Sequence, residues 1–312
     1  MTQTNNKHFN KKNWIKPSCG TCLMKIAYEL AIRSTKDNLK QIEIIKESLK
    51  ILSDISQDSF TTELSSKIIE KVEELTGIKD PYKKEKKESN EIILSLEPYM
   101  VKLIASISDP FEKFYKTLLL TIFGNVIDFA TGNYEFELSV ENLKEQMNDI
   151  LKSKPTIDDS RKFYDLIKNG DKNILYIVDN AGEIVCDKLL IENLSNYNNK
   201  INVVVRSGPL VNDATIEDAL SINLSKIKNV KIIQANRFCL GFLYNNLTSE
   251  FKFALEESDI IISKGQNNFE TIIKYQDNLK NKIIVLILKL KCKPLADFVG
   301  VKKGDFIIKI LY

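Results

Sequence analysis

The second half of the chain alternates short apolar runs with segments of helix length. From about Lys172 onward, six runs rich in Ile, Val and Leu appear in the order NILYIV, INVVVR, VKIIQA, DIIIS, KIIVLIL and DFIIKIL. Segments long enough for a helix separate most of them, such as 182–196 and 267–279. Buried strands that alternate with helices predict a largely parallel sheet covered on both faces. The linker before the last run leaves little room for a crossover helix, which allows an antiparallel strand at the sheet edge.

The first half has a helical pattern from about Thr21 to about Leu151. CLMKIAYELAIRS and LKQIEIIKESLKIL repeat apolar residues at a spacing of three and four, and Asp109-Pro110 is typical of a helix start. The charged segment DPYKKEKKESN, at 80–90, is typical of a solvated loop. We therefore predict an N-terminal helical domain at 1–155 and an α/β domain at 156–312.

Composition limits the compartment and the partners. The chain is 43% hydrophobic and 28% charged, as in ordinary globular proteins, and its net charge of +3 is too small to indicate a nucleic-acid or membrane surface. The apolar stretch at 118–130 is too short for a bilayer, and no apolar segment of a secretory signal follows the basic N-terminus. Five cysteines with one close pair fit a reducing compartment. We expect a cytoplasmic protein without nucleic-acid or membrane partners.

The chain has a single histidine, His8. A Ser-His-Asp or Cys-His arrangement, or a metal site with several imidazoles, would have to rely on this one residue. Catalysis is therefore expected to rest on carboxylates, amides, lysines or thiols, or on a hard metal ion held by oxygen ligands.

Polar side chains follow three of the predicted strands. They are Asp179, Asn180 and Glu183 after the first strand, Arg206 and Asp213 after the second, and Lys264, Asn267 and Glu270 after the fourth. Open α/β sheets bind ligands outside the carboxyl ends of their strands, where the strand order reverses. Taken singly, each group is more typical of a helix cap or a turn. Their convergence on one edge favours a binding site, with acid and amide oxygens for Mg²⁺ or Mn²⁺ and a lysine for phosphate.

Several segments resemble a known family. DNAGEIVCDKLL, VVVRSGPLVNDATIEDA, IIISKGQNNFE and GNVIDFA look like signature segments of the metal-dependent damage-control phosphatases, long called domain of unknown function 89. PSCGTC near the start and LKCKPLADFVGVKKGD near the end are similar to the prokaryotic branch with a Cys-x-x-Cys pair. The resemblance implies a three-layer α/β/α domain with a six-stranded sheet, its last strand antiparallel, behind an N-terminal helical region.

The resemblance also implies hydrolysis of phosphate monoesters of small, often damaged metabolites, supported by Mn²⁺, Co²⁺, Ni²⁺ or Mg²⁺. Asp179, Asn180 and Asp213 would be the metal ligands, and Lys264 would bind phosphate; Asp179, Asp213 and Lys264 form the implied catalytic set. The implied substrate-binding residues are Asn125, Asp128, Glu183, Arg206, Lys264, Asn267 and Glu270. The expected partner is a small phosphorylated metabolite, and a homo-oligomer stays open.

Two chemical routes fit these residues. A metal-activated water could attack phosphorus in line, or Asp179 could attack directly and form an aspartyl-phosphate. We favour the water route, because a carboxylate used as a metal ligand is less free to attack.

The cysteine pair has more than one interpretation. Cys19 and Cys22 follow Pro17 and begin a helix, where a thiolate would be stabilised. A lone Cys-x-x-Cys is a weak zinc signal, and further ligands would have to come from His8, Cys186, Cys239 or Cys292. A second metal or redox site at Cys19, Cys22 and Cys292 is therefore one interpretation among several.

Two rival functions are consistent with the same fold. One rival is an S-adenosylmethionine-dependent carboxyl methyltransferase, a label given to a eukaryotic branch of this family. Such an enzyme would need a glycine-rich turn after the first strand, and DNAGE has one glycine. A non-catalytic metabolite-binding protein predicts tight binding without phosphate release.

Overall fold

The computed structural model describes residues 15–126, 139–238, 240–242 and 244–311. Six helices precede the sheet within these residues: α1 Pro17–Ser34, α2 Asn38–Leu52, α3 Thr61–Thr76, α4 Lys83–Ala105, α5 Pro110–Val126 and α6 Val140–Lys152. Asp109 accepts a hydrogen bond from the Glu112 backbone N–H at 2.7 Å, so the predicted helix start at Asp109-Pro110 is confirmed. In the described part of the chain, no helix is long and apolar enough to span a bilayer.

Strands and helices then alternate as the sequence predicts. The strands are β1 Ile157–Asp158, β2 Asn173–Ile177, β3 Lys200–Arg206, β4 Val230–Ala235, β5 Ile260–Lys264, β6 Ile283–Lys289 and β7 Phe306–Leu311. The remaining helices are α7 Ser160–Ile167, α8 Glu183–Asn196, α9 Ile216–Ser221, α10 Ser249–Glu257, α11 Gln266–Lys274 and α12 Lys293–Val299. They form one mixed sheet in the order β1-β7-β6-β5-β2-β3-β4.

The sheet confirms the predicted fold with one correction. β2 to β6 run parallel, and β7 pairs with β6 in the antiparallel direction, as expected. The sheet has seven strands and not six, because β1 pairs in parallel with β7 at the edge. A two-residue strand is too short to leave a hydrophobic pattern, so β1 could not be predicted from the sequence.

The charged segment at 80–90 is mostly helical, so its assignment to a solvated loop is wrong. α4 begins at Lys83, and Lys86, Ser89 and Asn90 within it are buried. Exposed lysines and glutamates on the same helix form ion pairs one turn apart, with N···O distances of 3.7 Å. A spacing of three and four places the buried residues on one face. The charge run is thus the outer side of a helix whose inner side contacts the rest of the protein.

The sheet lies between two apolar layers. Alternate residues of each central strand face opposite sides, so that Ile260 and Ile262 belong to one core and Ile261 belongs to the other. The first core is completed by residues of α4, α5, α6, α7 and α8, and the second by residues of α10, α11 and α12. This is the predicted three-layer arrangement, but helices of the first half of the chain supply part of one layer.

Helices α1 to α3 form most of a smaller core, which includes Leu23, Ile44 and Ile68 and also takes in Leu210 and Leu240 of the second half. Helices α4 to α6 share the large core with the sheet. The predicted boundary at residue 155 therefore coincides with the start of the sheet, and no gap in the core lies there.

The strand order reverses between β2 and β5. From β2 the chain moves outward through β3 to β4, whereas from β5 it moves outward on the other side through β6 to β7. Such a switch point leaves a crevice at the carboxyl ends of the two central strands. Asp179 lies just beyond the end of β2, and Lys264 is the last residue of β5.

Candidate active site

Two acidic segments meet beyond the ends of β2 and β3. The carbonyl oxygen of Asp179 accepts a hydrogen bond from the Ala214 N–H at 2.9 Å, and Asn180 pairs with Asp213 in a short antiparallel bridge. Asp179, Asn180 and Asp213 are only 8%, 9% and 2% exposed. The structure therefore brings the three predicted metal ligands together in an enclosed position.

The loop after β5 packs directly on Asp179. Gly265 has a positive φ of 75°, and a Cβ atom there would overlap both carboxylate oxygens of Asp179. Only glycine meets both requirements, because an L side chain disfavours this backbone conformation and there is no space for one. The end of β5 thereby fixes the position of a side chain that follows β2.

Asn125 joins the helical half of the chain to this cluster. Its Nδ2 donates to Asp179 Oδ2 at 3.2 Å and to Glu183 Oε2 at 2.9 Å, while its Oδ1 accepts from the Lys289 backbone N–H at 3.0 Å. Asn180 Nδ2 also donates to Asp179 Oδ2, at 3.0 Å. Amide groups thus hold two carboxylates side by side, and Asn125 links α5 to the cluster; substrate binding by Asn125 stays a prediction.

The oxygen atoms that remain fit a hard divalent cation. The amide nitrogen of Asn180 faces Asp179, and no described residue donates a hydrogen bond to its Oδ1. Asp213 uses Oδ2 to pair with Arg206, and within the described chain its Oδ1 likewise has no hydrogen bond. Carboxylate and amide oxygens are the ligands that Mg²⁺ and Mn²⁺ take in proteins. The donor set is therefore compatible with the metal that the sequence predicts.

The ammonium group of Lys264 is occupied by other protein groups in this geometry, and its role in phosphate binding stays a prediction. The side chain is fully buried, and Nζ donates to Glu183 Oε1 at 2.6 Å, to Asp187 Oδ1 at 2.8 Å and to the Thr121 carbonyl at 3.1 Å. An ammonium group has three N–H donors, and all three are used. Lys264 therefore forms an ion pair with Glu183 on the core side, and the other carboxylate oxygen of Glu183 accepts a hydrogen bond from Asn125 of the cluster.

Tyr176 and Asp187 complete the buried network, and the sequence analysis missed both. Tyr176 Oη donates to Asp187 Oδ1 at 2.8 Å, and Asp187 Oδ2 has no hydrogen-bond partner. Burial raises the pKa of Asp187 to about 6, although Lys264 opposes this. Burial lowers the pKa of Lys264, but the carboxylates of Asp187 and Glu183 outweigh it and raise that pKa above its ordinary value. The spacing of Glu183 and Asp187, one helical turn apart, was the available signal.

Arg206 lies next to Asp213 and not on an open substrate surface. Its Nε donates to Asp213 Oδ2 at 2.7 Å, and its Nη1 donates to the Gly241 carbonyl. Burial raises the pKa of Asp213, and the adjacent guanidinium opposes that effect. Arg206 thus orients one predicted metal ligand and balances its charge.

The other predicted substrate residues differ in position. Glu270 accepts hydrogen bonds from the Thr61 hydroxyl and from the N–H and hydroxyl of Thr62, so it caps the start of α3 rather than lining the substrate side. Asn267 is half-buried at the start of α11. Asp128 lies outside the described residues. Glu270 was misassigned because its cap is formed with a helix 208 residues away, which sequence spacing does not reveal.

α4 contributes contacts that the sequence analysis missed. Asn90 Oδ1 accepts from the Gly182 N–H at 2.7 Å, and its Nδ2 donates to Asp218 Oδ1 at 2.6 Å. Gly182 also has a positive φ, and a Cβ atom there would press on Ser89. Because Gly182 directly follows the Asp179-Asn180-Ala181 segment, α4 closes the site from the helical side.

The fold and the motifs agree with a known family. A family model described as the damage-control phosphatase ARMT1-like domain matches residues 15–307. The chain belongs to this family. It is 30% identical over 302 residues to a damage-control phosphatase of Archaeoglobus fulgidus, covering 95% of this chain and 99% of that protein. A damage-control phosphatase of Pyrococcus horikoshii is 31% identical over 293 residues, covering 93% of this chain and 95% of that protein.

A solved structure supports the same assignment. The fold of this ARMT1-like domain is similar to the crystal structure of a domain of unknown function 89 family protein from Pyrococcus horikoshii, with a TM-score of 0.84 and 29% sequence identity. The alignment covers 96% of this chain and 99% of that chain. The resemblance stated from the motifs is therefore confirmed at the level of family and fold.

The cysteines of this ARMT1-like domain form no metal site among the described residues. Cys19, Cys22 and Cys292 are free thiols, and in the described ranges no group of three or more His, Cys, Asp or Glu side chains is arranged to hold a metal ion. Burial raises the pKa of Cys22 and raises that of Cys292 to about 11. These two thiols stay protonated and poorly reactive at neutral pH. His8 and Cys239 lie outside the described residues, so a second metal or redox site at Cys19, Cys22 and Cys292 stays a prediction.

Proposed function

We propose that this chain is a metal-dependent phosphatase that hydrolyses phosphate monoesters of small metabolites. The observation that carries the proposal is the meeting of Asp179, Asn180 and Asp213 at the switch point, in a chain whose relatives are named damage-control phosphatases. These three residues supply hard oxygen ligands, and the site is too enclosed for a large substrate to approach without rearrangement.

Asp179, Asn180 and Asp213 would hold a divalent ion such as Mn²⁺, Co²⁺, Ni²⁺ or Mg²⁺. When bound, such an ion neutralises phosphoryl charge and lowers the pKa of a bound water. The protein keeps these ligands in place with Gly265 beneath Asp179, Asn125 beside it and Arg206 on Asp213. Preorganised ligands of this kind need little rearrangement during the reaction.

The positions of the carboxylates support attack by water rather than by Asp179. Oδ2 of Asp179 already accepts hydrogen bonds from the amides of Asn125 and Asn180, which orient the carboxylate and reduce its nucleophilicity. In the water route, the water oxygen bonds to phosphorus, the ester P–O bond breaks, and the alcohol leaves with a proton. One in-line displacement inverts the configuration at phosphorus, so a chiral phosphate ester should give inverted product. Retention at phosphorus, or a burst of alcohol released before phosphate, would instead indicate an aspartyl-phosphate.

Lys264 and Glu183 act as positioning residues in this proposal. Lys264 neutralises Glu183 in a fully buried ion pair, and Glu183 fixes the Asn125 amide that contacts Asp179. A buried ion pair of this kind costs desolvation energy, and its retention is consistent with a role in specifying geometry.

The test is a phosphatase assay with a binding control. The purified chain is incubated with p-nitrophenyl phosphate and a panel of sugar phosphates, with and without Mn²⁺. We expect metal-dependent phosphate release that Asp179→Ala and Asp213→Ala abolish, while the exposed Asp54→Ala retains it. Metal-independent release, or no release with any metal, would contradict the proposal. Tight binding of a sugar phosphate without release would instead favour the non-catalytic alternative.

A further inference from the structure

The two cations named at the rim from the sequence are both neutralised by acids. Lys264 pairs with Glu183 and Asp187, and Arg206 pairs with Asp213. A phosphate monoester carries up to two negative charges near neutral pH, and stabilising that charge is the main electrostatic need of phosphoryl transfer. A cation without an acidic partner would serve this need better than either residue.

Lys289 lies one amide group away from the cluster. It is the last residue of β6, and its backbone N–H donates to Asn125 Oδ1 at 3.0 Å. The same side-chain amide donates through Nδ2 to Asp179 Oδ2 at 3.2 Å. The carboxyl end of β6 is therefore linked to the predicted metal ligand Asp179 through the side chain of Asn125.

The side chain of Lys289 is on the face of the sheet that carries the site. Val285 and Ile287 belong to the core formed with α5 and α8, and residues two apart in a strand face the same side. Lys289 therefore shares that face with Lys264, which pairs in register with Ile287 on the neighbouring strand. It extends beyond Lys264, at the open end of the sheet.

Among the described residues, none compensates the charge of Lys289. The side chain is half-buried, and no described residue forms an ion pair or hydrogen bond with its ammonium. Burial lowers the pKa of Lys289, and the positive charge of Lys291 lowers it further. A partly desolvated cation beside another cation is unfavourable by itself and becomes favourable when an anion binds.

We propose that Lys289 binds the phosphoryl group of the substrate and the phosphate product at the Asp179 cluster. The inference rests on the proposed phosphatase function and adds a phosphate-binding residue that the motifs did not mark. It assigns to Lys289 the role that the sequence analysis gave to Lys264.

The matched variants are Lys289→Met, Lys289→Arg and Lys309→Met. Lys309, on the adjacent strand β7, is also half-buried and without a partner among the described residues, but it faces the opposite core. Two quantities are measured: the KM for p-nitrophenyl phosphate, and the Kd of inorganic phosphate by titration calorimetry with Mg²⁺ present. We expect Lys289→Met to raise both about tenfold or more, as expected for loss of a charged hydrogen bond. Lys289→Arg should recover most of the affinity, and Lys309→Met should stay within about twofold of the wild type.

The metal dependence separates phosphate binding from a structural role. The contact with Asn125 is made by the backbone N–H of Lys289, which Lys289→Met keeps, so Mn²⁺ activation should stay unchanged or be strengthened by the loss of a nearby positive charge. Unchanged phosphate affinity in Lys289→Met, or weakened Mn²⁺ activation in parallel with KM, would overturn the inference. If the wild type releases no phosphate from any ester but Lys289→Met still binds inorganic phosphate more weakly, the phosphatase proposal fails and the role of Lys289 stands.

Discussion

At the scale of single residues, the buried network behind the site contains one cation and two acids. The side chains of Lys264, Glu183 and Asp187 are all fully buried. If both carboxylates were ionised, the network would carry a net negative charge that no water molecule could screen. The raised pKa of Asp187 and the partnerless Oδ2 of the same residue both fit a carboxyl group that is easily protonated. Protonation of Asp187 therefore removes the excess negative charge of the network.

The raised pKa gives a stability prediction with a definite sign. The pKa of Asp187 is about 6 in the folded protein, against an ordinary 3.8, so the folded protein binds this proton more tightly than the unfolded chain. This contribution to the free energy of unfolding is fully present below pH about 4 and is lost as pH rises through about 6, by roughly 3 kcal/mol.

Urea unfolding of the metal-free protein at several pH values measures this effect. The difference in unfolding free energy between wild type and Asp187→Asn should decrease as pH rises from about 4 to about 6 and then level off. The exposed Asp54→Asn should keep the wild-type pH profile. A wild-type to Asp187→Asn difference that is constant across this range would contradict the assignment.

Gly265 gives a second prediction at this scale. A Cβ atom at Gly265 would displace the Asp179 carboxylate, so Gly265→Ala should weaken Mn²⁺ activation more than about tenfold. Gly300 also has a positive φ, but nothing lies within 4 Å of a Cβ built there. Gly300→Ala should therefore lose only about 1 kcal/mol of stability and keep normal Mn²⁺ activation. Equal effects on metal activation would show that Gly265 does not set the position of Asp179.

At the scale of elements, the positions where strands end could be predicted from the sequence, but the residues against which each side chain packs could not. β-branched runs followed by Asp179, Arg206 or Lys264 indicate where strands stop, and parallel strands bring such ends to one edge. The partner of each side chain is not encoded in that pattern. Lys264 points into the core because it follows the alternation of β5, and Lys86 is buried because α4 packs on the α/β layer. Both depend on packing between elements that are distant in sequence.

Glu270 provides a test of one such misassignment. Because it caps α3, Glu270→Ala should lower the free energy of unfolding by about 1–2 kcal/mol and leave the KM for p-nitrophenyl phosphate nearly unchanged. Glu63 forms an ion pair with Lys274 between the same two helices, at a more exposed position. Glu63→Ala should cost less than about 1 kcal/mol. A large rise in KM for Glu270→Ala with unchanged stability would restore its predicted place on the substrate side.

At the scale of the whole molecule, the helical half is part of the structure that holds the Asp179 cluster. Asn125 of α5 and Asn90 of α4 contact the segment that carries Asp179, and α4 to α6 share one core with the sheet. The sequence shows a change of texture near residue 155, because helices give way to strands there. A change of secondary structure does not imply a division of the core, which depends on which faces are apolar.

Truncation distinguishes the two descriptions of the chain. A fragment of residues 156–312 loses α4 to α6 and exposes the apolar face of α8 and the sheet that they cover. A fragment of residues 80–312 keeps the large core, loses α1 to α3 and Phe60, and exposes Leu210 and Leu240, which pack against those helices. We expect the longer fragment to unfold cooperatively in urea, at lower stability than the full chain, and the shorter one to be unfolded or aggregated.

Near-ultraviolet circular dichroism and urea titration of both fragments provide the measurement. Cooperative unfolding of the 156–312 fragment would show that the boundary at residue 155 separates independent domains. Its absence, together with a folded 80–312 fragment, would place the effective boundary between α3 and α4. The contacts of Asn90 and Asn125 would then lie inside a single folding unit, which explains how side chains far apart in sequence keep fixed positions around Asp179.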